Sequence, residues 1–277
     1  MKLRLSEIKE AIREAILKEI SIEDVGDICF ATGSTHIMKT CSIGKDKFFL
    51  KFTDASLIDG FDPSLQILVE YLAYKVYALY SGINIPKIQL VYDRSTQQVG
   101  LASSAVTGKM AGSSRTDPKK LAKMLSAGVF VDVFLANWDV IGTGTGNIIL
   151  GDDKKSATRI DPGGALTFRA QGGRKGSKFG AKPGELKTMM DPSFGGSGQV
   201  FQYADLEEAG STFSSVPWGA IEQTLLSTTD EVFEELQTHN MKKLAAAWRG
   251  EASDITNTLK ARHKEVMAHV QYISKNH

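Results

Sequence analysis

Two kinds of hydrophobic pattern follow each other along this chain, and their order most constrains the fold. Residues 27–52 contain short β-type apolar runs separated by turn residues, which indicates three antiparallel strands. Residues 65–80 have apolar side chains at helical spacing, and Gly82 follows as a common helix stop. A second hairpin is expected over 88–101, and from about residue 203 the pattern is helical. The chain is therefore predicted to be α+β, with a small β-rich N-terminal part that includes one long helix and a larger, mostly helical C-terminal part.

Changes in composition divide the chain into three predicted parts. Residues 1–26 have apolar residues at helical spacing between charged ones, which predicts an amphipathic helix. The stretch 109–118 is small and polar, so a boundary is expected there, between a β-rich lobe over 27–108 and a helical lobe over 109–277. Four helices are expected near the end of the chain: 220–226, 229–238, 241–248 and 253–273.

The composition argues against several classes of protein. The 277 residues are 42% apolar, enough for a substantial core, and 33 Lys and Arg balance 32 Asp and Glu. With a net charge of +1, the chain lacks the excess of basic residues that is typical of nucleic-acid-binding proteins. The two cysteines are too few for a disulfide framework or a zinc site, and no apolar stretch reaches the roughly 18–20 residues of a membrane span. We therefore expect a cytoplasmic protein without a membrane span, or, for an effector or phage protein, one delivered into a host cell.

Three polar residues in the middle of the chain have the order and spacing of a phosphoryl-transfer site. Asp139 follows an apolar helix, Asn147 comes eight residues later, and Asp161 fourteen residues after that. Transfer of a phosphoryl group from ATP needs a carboxylate near the attacking hydroxyl and oxygen ligands for Mg²⁺. Asp139 is thus the candidate base, and Asn147 and Asp161 are the candidate metal ligands. The alternative is an ordinary α+β domain with polar residues in its loops.

Two charged residues upstream fit the same chemistry. Lys51 lies in an apolar strand, where a lysine either points to solvent or contacts the phosphates of ATP. Glu70 interrupts a nearly continuous apolar helix, where an unpaired charge would be costly, so it is predicted to pair with Lys51. Between the first strands, the turn Gly33-Ser34-Thr35 has the residue types of a phosphate-covering loop, although a plain hairpin turn uses the same ones.

This order of residues resembles that of atypical kinases. The resemblance rests on Glu70 in a helix, the segment Ser81-Gly82-Ile83-Asn84-Ile85-Pro86, Asp139 with Asn147, and Asp161-x-Gly. It is similar to HipA-type bacterial kinases and, more distantly, to phosphoinositide 3/4-kinases, as a likeness of motif order over about residues 30–168. The resemblance implies a bilobal protein-kinase-like fold, ATP with Mg²⁺, and transfer of the γ-phosphoryl group to a hydroxyl. For the acceptor, the HipA likeness implies Ser or Thr of a protein substrate.

Four features depart from the protein-kinase pattern. Asn137-Trp138 stands where His-Arg precedes the catalytic Asp, and the spacing from Asp139 to Asn147 is eight instead of five. Pro162 replaces the Phe of Asp-Phe-Gly, and a complete G-x-G-x-x-G is missing. These departures keep open a pseudokinase that binds a nucleotide and acts as an interaction module.

Residues 169–200 are rich in glycine, and the first part of this stretch is basic. Its candidate substrate-binding residues are Arg169, Arg174, Lys175 and Lys178. Clusters of Arg and Lys recognise anionic groups, which suits an acidic activator or a phosphorylated lipid or inositol and makes a lipid or inositol kinase the alternative enzyme. The other interpretation is a solvated, mobile loop. We expect the loop to be mobile alone and ordered on meeting an anionic partner.

Overall fold

The computed structural model describes residues 29–32, 37–43, 46–53, 62–93 and 96–276. The protein is α+β, with a small antiparallel sheet in the N-terminal part and a larger, mostly helical C-terminal part, as the sequence predicts. Two compact units divide the described chain: one contains the residues up to Ile67 together with Lys87–Ala105, and the other contains Leu68–Pro86 and the residues from Val106 onwards. The helix predicted over 1–26 lies outside the described residues.

Five antiparallel strands form the sheet of the first unit. They are β1 (Cys29–Thr32), β2 (Ile37–Ile43), β3 (Asp46–Phe52), β4 (Ile88–Asp93) and β5 (Gln98–Ser104). Their order in the sheet is β1-β2-β3-β5-β4, so β3 is central. Alternate residues of β3 enter a core that also takes side chains from β2, β4 and β5, because successive side chains of a strand point to opposite faces.

Lys51 lies between Leu50 and Phe52 of β3, so its side chain leaves the face opposite to theirs. The residue is only 6% exposed, and β3 is flanked by β2 and β5 at this position. The interpretation of Lys51 as a solvent-facing charge at a strand edge is therefore wrong.

The two cysteines of the chain lie directly opposite each other in the register of β1 and β2. Cys41 is buried and disulfide-bonded. A count of two cysteines does not reveal this bond, because it does not show which residues strand pairing places opposite each other. Disulfides are uncommon in cytosolic proteins. The number of cysteines therefore no longer supports the expectation that the protein is cytoplasmic.

Helix α1 (Ser64–Tyr77) is buried on almost every side. Its N-terminus is held by the Asp62 carboxylate, which accepts the backbone N–H of Ser64 at 2.9 Å. Every residue of the helix except Lys75 is buried. A helix that is apolar all round is typical of a core helix, and this one confirms the helix predicted from residue 65, although it ends at Tyr77 instead of residue 80.

The second unit contains most of α1, a small sheet and seven further helices among its described residues. The sheet has the antiparallel order β6 (Lys109–Met110), β7 (Ile148–Leu150) and β8 (Ala157–Arg159). The helices are α2 (Pro118–Leu125), α3 (Val129–Phe134), α4 (Glu185–Thr188), α5 (Gly195–Phe201), α6 (Leu206–Ser214), α7 (Trp218–Thr238) and α8 (Lys242–Asn276).

The C-terminal region consists of two long helices where the sequence predicted four shorter ones. The residues between the predicted pieces continue the helices, since neither Ser227-Thr228 nor Gly250 breaks them. Buried residues recur every three or four positions along α8, from Leu244 through Trp248 to Ile273. In the part of the chain that the structure describes, no helix is long and apolar enough to cross a membrane.

Candidate active site

The segment that contains Asp139 begins directly after the buried helix α3. Arg262 of α8 caps that helix, since its Nε and Nη2 donate to the carbonyls of Phe134 and Val133 at 2.8 and 2.5 Å. The backbone N–H of Asn137 then donates to the carbonyl of Asp132 at 2.8 Å. The backbone of the segment is therefore held in place at Asn137, two residues before Asp139.

Asn147 lies against Asp139, as the predicted site requires. Its Nδ2 donates to the backbone carbonyl of Asp139 at 2.7 Å and lies 3.4 Å from the Oδ2 of the same residue. Gly142, with φ +68°, makes this approach possible, because a Cβ there would lie 2.7 Å from the amide carbon of Asn147. The longer loop between Asp139 and Asn147 thus closes on itself and still brings the two side chains together.

Asp161 follows β8 and has a left-handed backbone, with φ 56° and ψ 64°. This conformation costs a non-glycine residue about 1–2 kcal/mol, so its neighbours must hold it. The Asp161 carboxylate accepts the backbone N–H of Gly163 at 3.3 Å, and its own N–H donates to the hydroxyl of Tyr74 at 3.0 Å. Three residues after Asp161, a Cβ added to Gly164 would lie 3.2 Å from the Cβ of Asp139, so the two acidic segments are in direct contact.

The carboxylates of Asp139 and Asp161 influence each other electrostatically. Burial raises the pKa of Asp139 above its ordinary value, and the negative charge of Asp161 raises the same pKa further. The hydrogen bond from Asn147 acts in the opposite direction and lowers this pKa. The net result is a carboxylate that accepts a proton more readily than a free aspartate does, which suits a base.

Two exposed aromatic side chains lie beside Asp139. Trp138 is 49% exposed, and its ring meets the 47% exposed Phe194 edge-on with 6.4 Å between the centroids. The indole Nε1 donates to the hydroxyl of Thr188 at 3.0 Å, and the hydroxyl of Ser197 donates to the Trp138 carbonyl at 2.9 Å. The candidate base therefore has an apolar surface next to it that is fixed in place.

A buried ion pair, which the sequence analysis missed, supports both acidic segments. Arg159 donates from Nε and Nη2 to the carboxylate of Asp132, with the shortest distance 2.9 Å, and both residues are at most 4% exposed. Asp132 is in α3, before Asp139, and Arg159 is two residues before Asp161. The signal was in the sequence, because Asp132 interrupts an apolar run as Glu70 does.

The basic segment after Asp161 is more ordered than predicted. Arg174 forms an ion pair with Glu251 of α8 and lies over the ring of Phe168 at 4.5 Å. Lys175 donates from Nζ to the carbonyls of Ala136 and Gly164, both at 2.6 Å. The expectation of a mobile loop is therefore wrong for these two residues, because their side chains have specific protein partners.

The other two candidate substrate-binding residues of this segment, Arg169 and Lys178, are exposed. Arg169 also joins the backbone turn of the segment, where its N–H donates to the carbonyl of Gly173 at 3.0 Å. Lys178 follows in a short 3₁₀ turn. A substrate-binding role for Arg169, Arg174, Lys175 and Lys178 stays a prediction, and the exposed pair is better placed for it.

Of the upstream candidates, two are described by the structure. Lys51 and Glu70 are both buried, at 6% and 2% exposed, but they belong to different units, and their pairing stays a prediction. The turn Gly33-Ser34-Thr35 lies outside the described residues.

The donor set of the site is compatible with Mg²⁺. The Asp161 carboxylate and the Asn147 amide oxygen are hard oxygen ligands, and Mg²⁺ in nucleotide sites uses one or two carboxylates together with phosphate oxygens. Because the Asn147 Nδ2 is bonded to Asp139, its Oδ1 is the amide atom that would serve a metal. Within the described ranges no cluster of three or more His, Cys, Asp or Glu could hold a metal, so the nucleotide would have to complete this site.

Comparisons with known proteins give a likeness in structure and no match in sequence. No protein-family model matches the chain, and no curated protein sequence does so either. The crystal structure of a Helicobacter pylori proinflammatory kinase, CtkA, is similar with a TM-score of 0.39 and 10% identity, over 86% of this chain and 96% of that one. At this level of similarity the function of one chain does not transfer to the other.

Proposed function

We propose that the protein is an ATP- and Mg²⁺-dependent phosphotransferase, an atypical kinase with a bilobal protein-kinase-like fold. The observation that supports this best is the grouping of Asp139, Asn147 and Asp161. The amide of Asn147 lies within hydrogen-bonding distance of Asp139, and the charge of Asp161 raises the pKa of the Asp139 carboxyl. An α+β domain with polar residues scattered over its loops has no reason to bring together these three, in the order that phosphoryl transfer requires.

In the proposed reaction, the oxygen of the acceptor hydroxyl attacks the γ-phosphorus of ATP, the bond from this phosphorus to ADP breaks, and the hydroxyl proton passes to Asp139. The raised pKa of Asp139 favours that proton transfer. Asn147 orients the Asp139 carboxylate and, with Asp161, provides the oxygen atoms for Mg²⁺. When bound, Mg²⁺ neutralises charge on the phosphates. Lys51 is proposed to contact the α- and β-phosphates of ATP, with Glu70 as the carboxylate that pairs with its ammonium.

For the acceptor, we propose Ser or Thr of a protein. The exposed pair Trp138 and Phe194 beside the base supports a polypeptide, because aromatic side chains are common anchors for apolar residues of protein partners. Arg174 and Lys175 make protein contacts, which weakens the case for a highly charged lipid or inositol acceptor. The lipid or inositol kinase stays the second candidate, with Arg169 and Lys178 as its cations.

The substitution Asp161→Asn tests the proposal. Loss of the carboxylate charge should reduce the transfer of labelled phosphate from ATP by at least about 10³-fold while the protein stays folded, because the ligand charge that holds the metal is removed. Asp152→Asn is the matched control, since Asp152 is exposed in the turn between β7 and β8. The assay incubates the purified protein with labelled ATP, Mg²⁺ and a lysate, and separates the protein, lipid and nucleic-acid fractions.

Each outcome of that assay separates two interpretations. Label in the protein fraction supports the protein acceptor, and label in the lipid fraction supports the second candidate. A wild-type protein that binds Mg²⁺ and ATP but transfers no label is a pseudokinase. Equal transfer by Asp161→Asn and Asp152→Asn at saturating Mg²⁺ contradicts the assignment of Asp161.

A further inference from the structure

One face of helix α1 is directed at the candidate active site. Glu70, Tyr74 and Tyr77 are spaced by four and then three residues, so they form one stripe along the helix. All three are buried, at 2%, 3% and 1% exposed. A stripe of polar groups on an otherwise apolar core helix requires a partner for each group.

The partner of Tyr74 is the backbone of Asp161. The Tyr74 hydroxyl accepts the N–H of Asp161 at 3.0 Å. Burial and the nearby negative charges of Glu70 and Asp161 raise the pKa of Tyr74, so the phenol stays neutral at working pH. This contact comes from outside the turn and helps to hold the left-handed backbone of Asp161, and the direction of the Asp161 carboxylate depends on that backbone.

Tyr77 fixes the position of α1 relative to the candidate active site. Its hydroxyl donates to Oδ1 of Asp132 at 2.7 Å and accepts from Nδ2 of Asn137 at 2.9 Å. Asp132 is in turn paired with Arg159, two residues before Asp161. The helix that carries Tyr74 is therefore fixed, one turn later at Tyr77, to the segment that contains Asp139 and to the segment that contains Asp161.

We propose that Tyr74 is a positioning residue for metal binding: its hydroxyl holds the Asp161 backbone so that the Asp161 carboxylate faces the metal and the phosphates. Tyr74 acts through Asp161. This inference rests on the proposed function and adds a residue that the motif order does not predict. Hydrogen-bonding partners behind a metal ligand commonly change metal affinity by about 10–100-fold.

The test is Tyr74→Phe, which removes one oxygen atom and keeps the ring. The matched control is Tyr80→Phe, because the hydroxyl of Tyr80 is also buried but has no hydrogen-bond partner within the described residues. The Mg²⁺ concentration for half-maximal phosphoryl transfer should rise at least about tenfold in Tyr74→Phe, and kcat should recover largely at saturating Mg²⁺. Tyr80→Phe should match the wild type in both quantities.

A second readout does not depend on turnover. Binding of Mn²⁺ in the presence of ATP, followed by electron paramagnetic resonance, should weaken by a similar factor in Tyr74→Phe and not in Tyr80→Phe. If the wild type binds Mn²⁺ with ATP but transfers no phosphate, the proposed catalytic function fails while this comparison still decides the role of Tyr74. Equal metal affinity in the two variants overturns the inference.

A measurement on the wild type covers the case in which Tyr74→Phe does not fold. The amide hydrogen of Asp161 should exchange slowly with solvent, because it is bonded to a buried hydroxyl. Exchange as fast as that of the exposed amide of Asp152 would contradict the positioning contact.

Discussion

At the scale of single residues, the surroundings of Asp139 make the ionised form of its carboxyl group less favourable than it is in water. Its pKa is raised by burial and by Asp161, so the folded protein favours the protonated carboxyl more than the unfolded chain does. Stability from this residue is present at low pH and is lost as pH rises through the raised pKa. Above the raised pKa, the ionised Asp139 therefore works against folding.

We predict that Asp139→Asn lowers kcat by about two to four orders of magnitude and leaves the affinity for ATP nearly unchanged. The melting temperature of this variant should equal or exceed that of the wild type near neutral pH, and the difference should shrink toward about pH 4, where an ordinary aspartate becomes protonated. Kinetic assays and thermal unfolding at several pH values check both parts, with Asp152→Asn as control. A variant that loses ATP binding but keeps its turnover number would give Asp139 a different role.

At the scale of elements, the sequence predicted the five strands of the first unit and the core helix, because periodicity and turn residues are local signals. The candidate site was also predictable, since Asp139, Asn147 and Asp161 follow in order along the chain. The contacts that support the site could not be predicted, because Arg159 and Asp132 are 27 residues apart in the sequence and meet only through tertiary packing. The basic segment was misjudged for the same reason: Glu251, the partner of Arg174, is 77 residues away.

Lys175 connects the segment that contains Asp139 to the segment that contains Asp161, and its removal should let the two segments move apart. Its Nζ bridges the carbonyls of Ala136 and Gly164, from the segments that contain Asp139 and Asp161. Lys175→Met should reduce kcat by about 10–100-fold, because small displacements of reacting groups are costly. The matched control is Lys182→Met, an exposed lysine seven residues later. Equal kcat values for the two variants, measured with labelled ATP, would show that the bridge has no catalytic consequence.

The same lysine predicts a dependence of stability on pH. Burial, partly offset by Glu185, lowers the pKa of Lys175 to about 7, far below that of the unfolded chain. The folded state therefore binds this proton less tightly, and the contribution of Lys175 to stability rises with pH above about 7. Unfolding in urea should show the wild type gaining stability relative to Lys175→Met between about pH 7 and about pH 9. A constant difference across this range would contradict the shifted pKa.

At the scale of the whole second unit, Arg262 connects the last helix to the active-site segments. Its guanidinium donates to the carbonyls of Val133, Phe134 and Gly180 and forms an ion pair with Glu185 at 2.8 Å. Arg262 is fully buried, so each of these partners would lose its hydrogen bond without access to water. One side chain thus fixes α8, the end of α3 and the start of α4.

We predict that Arg262→Met lowers the free energy of unfolding by about 3–5 kcal/mol, the usual result of breaking a buried ion pair on one side. Lys260→Met is the matched control on the same helix, because Lys260 is about half exposed and pairs with Glu222 at 3.7 Å. That control should change stability by less than about 0.5 kcal/mol. Urea unfolding measures both, and similar values for the two variants would rule out the connecting role of Arg262.

The long reach of Arg262 also has a consequence for how the protein is made. Its partner Phe134 is 128 residues earlier in the chain. At about 5–20 residues per second, a ribosome adds Arg262 on the order of 10 s after Phe134. The end of α3 remains uncapped during that interval, and the Asp139 segment acquires its final position only once most of α8 has left the ribosome. A nascent chain therefore completes the candidate active site late in its synthesis, long after Asp139, Asn147 and Asp161 have been added.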